Sequence, residues 1–413
     1  MRAPLLRNTE LMSKTMKPLW KNRDFVLIWM GTSISGLTFQ FYLIALPLII
    51  FDHTKSALAM SIMRSVEVIP NVLLAAAIGV LVDRYYRKHI MRWSIGVQIS
   101  ALLVLLCIIL LHIDQLWVVY VVAFLVGAAE YAFWNAYHST LPLVVSREQL
   151  TSANASLISI ESTINVAGPA IAGFILSLVS YSTGIIGSIC GLTLLYIMVS
   201  FTDIPQTSAP KTQKTGFLAE FVEGWAQLIS TPSLRIMTTM ILFVNIGSAI
   251  AGGIMLFYAR NDLHASALGV GVIYASIAFG TMLSGLIAKP SRRLSGRGTL
   301  MLFSVLIAVV GQITMFLSTT WVMLAWGMFF MGFSAGFTNI HYFTLRQELT
   351  PNHLLGRVAG ASSMVTKLAL PVAYLVSGIL GSWIGANYMF LMSACVLMLI
   401  FSYGLVIRLW KYI

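Results

Sequence analysis

Charge is scarce in this chain. Aspartate, glutamate, lysine and arginine together make up 10% of its 413 residues, against roughly 25% in an ordinary soluble domain. Apolar residues reach 58%, more than a water-exposed fold of this size can bury, so the surrounding solvent must be lipid. Cysteine is equally sparse. Cys107, Cys190 and Cys395 each lie inside an apolar run with no paired spacing, which argues against a disulfide framework or a metal site and for packing. No Gly-x-x-x-x-Gly-Lys-Ser/Thr segment is present, so the phosphate loop of an ATP-driven pump is excluded. The segments between the apolar runs are too short for a catalytic domain and hold no nucleophile–base cluster or metal-ligand spacing. An enzyme is therefore not expected, nor a metal or other bound cofactor. The first 24 residues are polar and basic, without a short apolar core and cleavage site, so the first span itself is expected to direct insertion.

What is present is a series of long apolar runs. Lipid offers no hydrogen bonds, so spanning segments must be helices or closed barrels. Runs beyond 18 residues without period-two alternation are helices. Twelve are expected, at 25–50, 57–82, 93–113, 116–144, 151–180, 183–202, 234–260, 267–290, 299–318, 320–345, 357–383 and 385–408. The expected class is an all-α membrane protein. Of the 26 lysines and arginines, 22 fall before span 1, in or beside the even-numbered loops, or after span 12. The opposite side holds only Lys55 and Arg260, while Arg64 and Lys367 fall within spans. This asymmetry puts both termini in the cytoplasm of a bacterial cell membrane. The net charge of +12 is read as loops facing anionic lipid rather than as a nucleic-acid surface.

The longest hydrophilic stretch, 203–233, divides the spans six and six and carries Pro205, Pro210, Lys211 and Lys214. It reads as a cytoplasmic linker between a bundle over 25–202 and a bundle over 234–408, with 1–24 and 409–413 as cytoplasmic ends. An amphipathic surface helix is expected near 217–228. The halves echo each other at an offset of 204: Asn135 with Asn339, Thr140 with Thr344, Leu141 with Leu345, Leu150 with Leu354, Leu176 with Leu380. Two parallel repeats suit alternating access to a site between them.

Gly79-Val-Leu-Val-Asp83-Arg84-Tyr-Tyr-Arg87-Lys88 resembles the loop 2–3 signature of the major facilitator superfamily, departing from it at Tyr86, where that family has glycine. Gly168-Pro169-Ala-Ile-Ala-Gly173 is similar to the family's antiporter motif in span 5, with Ala172 in place of the first of its two final glycines. Span 4 lacks the arginine of a third family motif. Asn22-Arg23-Asp24-Phe25, Ala45-Leu46-Pro47-Leu48, Leu141-Pro142-Leu143-Val144 and Leu150-Thr-Ser-Ala153-Asn154 resemble the macrolide-efflux and enterobactin-exporter branch. The resemblance implies two pseudo-symmetric six-helix bundles and a monomeric transporter of small molecules that uses the proton gradient. It also implies gating roles. Asp83 would cap or pair with span 11, gaining about 0.3–1 kcal/mol from a helix dipole. Arg84, Arg87 and Lys88 would add pairs and lipid contacts, beyond their plain role as a topogenic loop. Gly168, Pro169 and Gly173 would let span 5 seal the interface between halves; a kinked, closely packed helix is the plainer reading.

Ionisable groups inside the hydrocarbon are costly, so each is a functional candidate. Arg64, Glu67, Glu130, Glu161 and Lys367 qualify. Glu130 and Glu161 sit near the midplane at 1.5 Å per residue. The resemblance implies that spans 1, 4, 7 and 10 line the central cavity, which makes Glu130 the leading proton carrier, with Glu161 and Glu67 as further candidates; a structural, hydrogen-bonded carboxyl is the alternative. Asn154, Ile158, Glu161 and Asn165 share one face of span 5, and Gly127, Glu130, Trp134 and His138 one face of span 4. Arg64 and Glu67 are three apart and can neutralise each other, or Glu67 can latch to Lys367 of span 11 across the halves. Candidate cavity residues are Gln40, Tyr42, Trp134, Asn245, Asn339 and Tyr342, with Phe39 and His341 beside them. The 21 methionines suit an adaptable pocket for an amphipathic drug-like or siderophore-like compound. Import of a small nutrient on the same fold is the alternative function.

Overall fold

The structure, a computed structural model, describes residues 18–74, 77–78, 81–82, 85–111, 115–204, 217–293, 295–351 and 354–411. Gly79, Asp83 and Arg84, and linker residues 205–216, lie outside the described residues. Among those described there are helices and no strands. The first half holds α1 (Arg23–Thr54), α2 (Ala57–Leu73), α3 (Arg87–Leu110), α4 (Leu116–Val144), α5 (Leu150–Leu178) and α6 (Tyr181–Ser200). The connecting helix α7 (Phe217–Ser230) follows. The second half holds α8 (Pro232–Asn261), α9 (Ala267–Ser291), α10 (Arg297–Phe316), α11 (Trp321–Leu349), α12 (Leu355–Leu368), α13 (Leu370–Ile384) and α14 (Ala386–Val406). Span 11 is thus divided at Ala369, next to Pro371, whose ring nitrogen cannot donate to the turn before it.

Among the described residues, eleven helices are long and apolar enough to cross a membrane, with α12 and α13 taken together. Span 2 completes the twelve: α2 is described for 17 residues and helical residues resume at 77–78 and 81–82. Apolar side chains cover the outer surface, with Val406 at 80% and Trp383 at 78% exposure, as a lipid solvent demands. All three cysteines are exposed on this surface. The expectation that they pack inside is corrected: each sits on the helix face turned to lipid.

Local chemistry sets the helix starts. The Asn22 side chain accepts from the amides of Asp24 and Phe25 at 3.1 and 3.3 Å, and its Nδ2 donates to Val144 O at 2.8 Å. Ser56, Ser180, Ser266 and Thr320 cap α2, α6, α9 and α11 by accepting an amide three residues on.

Pairing repeats between the halves. α1 packs on α6 as α8 packs on α14; α3 on α4 as α10 on α11; α2 on α4 as α9 on α11. The halves meet through α5 against α9 and α2 against α13, two contacts that exchange under the same pseudo-symmetry. These cross-half contacts gather at the far end, away from Leu19 and Leu409. There Asp52 pairs with Arg260 at 3.4 Å, and the Phe51 and Phe257 rings lie 6.1 Å apart. Ser61 Oγ donates to Gly253 O at 3.0 Å and Ser65 Oγ to Pro371 O at 2.9 Å. Toward the near end, α5 exposes Thr151, Ser152, Asn154, Ser159, Ser162 and Thr163. A polar face on a spanning helix must line water rather than lipid. The bundle is closed at its far end and open at its near end.

The connecting helix is docked. Leu228 packs with Leu234, Leu354 and Val358, Glu223 pairs with Arg357, and Gly224 lies flat on the Arg357 backbone.

Candidate functional site

α1, α4 and α5 enclose a cavity of about 270 Å³ in the first half. Gln40, Phe39 and Thr32 line it from α1, Glu130 and Trp134 from α4, and Glu161 and Asn165 from α5. Glu130 lies 14 residues into the 29-residue α4, about 21 Å along a helix of about 43 Å. The Trp134 indole lies within hydrogen-bonding reach of its carboxyl, and Trp134 stacks on His138 at 5.6 Å. Neither Glu130 nor Glu161 has an ion pair among the described residues. The two carboxyls picked out by depth therefore share one cavity, and Gln40 and Trp134 line it with them.

Next to this cavity lies a charged cluster. Arg64 Nη1 donates to Glu67 at 3.1 Å on the same helix. Its Nη2 donates to the hydroxyl of Tyr274 on α9, in the other half, and the guanidinium stands 5.5 Å from that ring. The Tyr42 hydroxyl, fully inside the first half, has no hydrogen-bond partner among the described residues. It lies near enough to Glu67 and Glu130 to feel both carboxyls. The Glu67–Lys367 latch is not formed in this conformation: Glu67 is taken by Arg64, and Lys367 is exposed in the last turn of α12. The cross-half link is made by Arg64 with Tyr274 instead.

The other cavity candidates are placed elsewhere. Tyr342 is core, sharing a hydrogen bond of 3.0 Å with Thr238. Asn245 braces α8 to α12 by donating to Thr366 O at 3.0 Å. Tyr42 lies outside the cavity lining, within electrostatic reach of Glu67 and Glu130. Asn339 is exposed on α11, and His341 is buried against Phe337. Ser33, Ile160 and Ile164 also line the cavity; small and apolar residues at helical spacing carry no sign of their own in the sequence.

The motif residues that are described make tight contacts. A Cβ on Gly173 would stand 2.5 Å from Ala267 O and 2.9 Å from Gly271 Cα of α9, so only glycine allows this cross-half approach. A Cβ on Gly168 would stand 2.7 Å from Gln40 Cγ. Pro169 O faces Gly271. In the basic loop, Lys88 Nζ donates to Thr202 O at 2.7 Å and Tyr86 donates to Ile204 O. Arg87 opens α3. Burial, with the Asp203 carboxylate nearby, pushes the Tyr86 phenol up from its ordinary range. Tyr86, where the signature has glycine, thus fastens the loop to the end of α6.

The chain is 26% identical over 395 residues to macrolide efflux protein A of Streptococcus pyogenes, covering 92% of this chain and 95% of that one. It is 25% identical over 285 residues to the enterobactin exporter EntS of Escherichia coli O1:K1 / APEC, covering 68% and 67%. A bacterial homologue of the iron transporter ferroportin, solved in an inward-facing state, superposes with a TM-score of 0.73 at 15% identity, over 94% of this chain and 99% of that one. Residues 28–372 match the family model of the Major Facilitator Superfamily. With two six-helix bundles related by pseudo-symmetry and a family match across most of its length, the chain belongs to the Major Facilitator Superfamily and is a transporter, not an enzyme.

Proposed function

We propose that this chain exports an amphipathic small molecule, macrolide-like or siderophore-like, across a bacterial cytoplasmic membrane in exchange for protons, as a monomer and without a bound cofactor. The observation that carries this reading is the cavity that holds Glu130 and Glu161 together at mid-depth, with no ion pair to either among the described residues. An acid in that setting is able to take up and release a proton as access alternates. The aromatic and amide groups of Phe39, Trp134, Gln40 and Asn165 beside it suit a ligand with one apolar and one polar face. Efflux proteins among the relatives support the direction of transport.

Both termini are assigned to the cytoplasm, because the near end carries Arg87, Lys88, Arg92, Arg292, Arg293, Arg297, Arg346 and Arg357, and the far end Lys55 and Arg260. On that assignment the bundle is open to the inside. Substrate enters from the cytoplasm or inner leaflet, the near end closes as α5–α9 and α2–α13 part at the far end, and proton uptake at Glu130 resets the cycle.

Everted membrane vesicles test this. Under an imposed proton gradient they should accumulate a macrolide or an amphipathic dye, and a protonophore or Glu130→Gln should abolish the uptake. Net accumulation by intact cells would overturn export. Full activity of the Glu130→Gln, Glu161→Gln double variant would remove the cavity carboxyls from coupling.

A further inference from the structure

A second concave site lies on the opposite flank of the first half. α3, α4 and α6 form an open groove of about 990 Å³, separate from the carboxylate cavity. Its walls are apolar and face the hydrocarbon: Trp93 is 76% exposed, Val104 46% and Val121 45%. At its floor, nothing lies within 4 Å of a Cβ built on Gly96, so the trough is deepened by a missing side chain. A groove of this kind inside a bilayer is filled by lipid chains.

The near-end mouth of the groove is basic. Arg92 and His89 line it, and Lys88 is anchored one turn away on Thr202 O. Arg92 Nη2 donates to Tyr196 Oη at 2.9 Å, and its guanidinium stands 5.1 Å from that ring. Its buried Nε has no hydrogen-bond partner among the described residues. Most of the guanidinium's five donors are therefore uncommitted, and among the described residues no carboxylate lines the groove. Arg92 sits five residues into α3, about 8 Å along it, beside the exposed Trp93. A tryptophan at that depth marks the headgroup level.

We propose that this groove is a binding site for an anionic phospholipid of the near-end leaflet, with its phosphate on Arg92 and an acyl chain along the Gly96–Val104 face of α3. Basic pockets between spans with an apolar trough beneath them have the chemistry for such a ligand, and arginine offers phosphate a fork of donors. The site does not depend on the transport direction or on the cavity carboxyls.

Native mass spectrometry of the purified full-length protein, titrated with phosphatidylglycerol and with phosphatidylcholine of the same chains, tests the proposal. Phosphatidylglycerol should bind preferentially. Arg92→Gln should weaken it about fivefold, while Arg293→Gln, which removes a charge elsewhere at the near end, should leave it unchanged. Equal loss from Arg92→Gln and Arg293→Gln would mean diffuse attraction to a basic surface and would overturn the site, as would equal binding of the two lipids. Should Arg92→Gln fail to fold, the wild type decides the matter: a photoactivatable phosphatidylglycerol should label residues 93–104 and 118–125, and label spread evenly around the bundle would reject the proposal.

Discussion

Arg64 and Tyr274 join the two halves of the bundle through a hydrogen bond from the guanidinium to the phenol hydroxyl. The contact sits about 11 Å along α2 from its far-end start, at the inner edge of the far-end closure. Arg64 is held in place by Glu67, and Glu67 is in turn within electrostatic reach of Glu130. A cavity carboxyl and a cross-half bond are therefore two steps apart. A change of charge in the cavity is expected to reach the network that joins the halves at the far end.

Arg64→Gln should leave the Glu67 carboxyl in place without its cation. The pair is partly buried, with side chains 21% and 16% exposed, so losing one partner should cost less than the about 3–5 kcal/mol of a fully buried pair, whereas Tyr274→Phe, which removes one hydrogen bond, should cost about 1 kcal/mol. Pairing Arg64→Gln with Glu67→Gln should recover much of the loss. Thermal unfolding of the detergent-purified variants gives the double-mutant cycle. A single Arg64→Gln variant as stable as the wild type would show that the pair has no structural weight.

Gly173→Val should open the far end. The side chain meets the backbone of Ala267 and Gly271, which cannot yield as a flexible side chain would. Overpacking of this kind costs about 1–3 kcal/mol, charged entirely to the far-end-closed state. Spin labels at residues 180 and 261, one on each half at the far end, should report longer distances than in the wild type. An unchanged distribution would mean that α5 and α9 slide past each other rather than lock.

Asn22→Ala tests a sequence motif that turns out to be architectural. Its side chain caps α1 and ties it to the end of α4 through Val144 O. Loss of the cap should cost about 1–2 kcal/mol, read as lower thermal stability, with transport per folded molecule unchanged. A selective loss of transport at full stability would instead give Asn22 a direct role.

The legible and illegible parts of this molecule divide along physical lines. Run length and loop charge identify twelve spans because lipid imposes both, and depth alone singles out Glu130 and Glu161. Boundaries shift where hydrogen bonding rather than hydropathy decides: α3 starts at Arg87 and α1 at Arg23, both polar. Helical period tells which residues share a face, not which neighbour that face meets. Asn245 and Tyr342 look like cavity residues for that reason and prove to be internal braces. Opposite charge suggests Glu67 with Lys367, but Arg64 is three residues away on the same helix and reaches Glu67 first. Tyr274 carries no signal in the chain itself, since its role exists only once α9 lies against the first half.

Tyr42→Phe makes the most exacting test of the network. The hydroxyl is buried with no hydrogen-bond partner among the described residues, a state that costs about 1–3 kcal/mol for a polar group. If that cost is real in the near-end-open state, phenylalanine should stabilise this state by up to that amount, raising the melting temperature and slowing exchange with the other state. If the hydroxyl gains a carboxyl partner when the cavity changes charge, the same variant should slow proton-driven transport while leaving passive equilibration of substrate intact. Reconstituted liposomes separate the two readouts, with efflux under a gradient measured against counterflow without one. A variant no more stable than the wild type and equally active in both assays would leave the path between Glu67 and Glu130 without a protein intermediary.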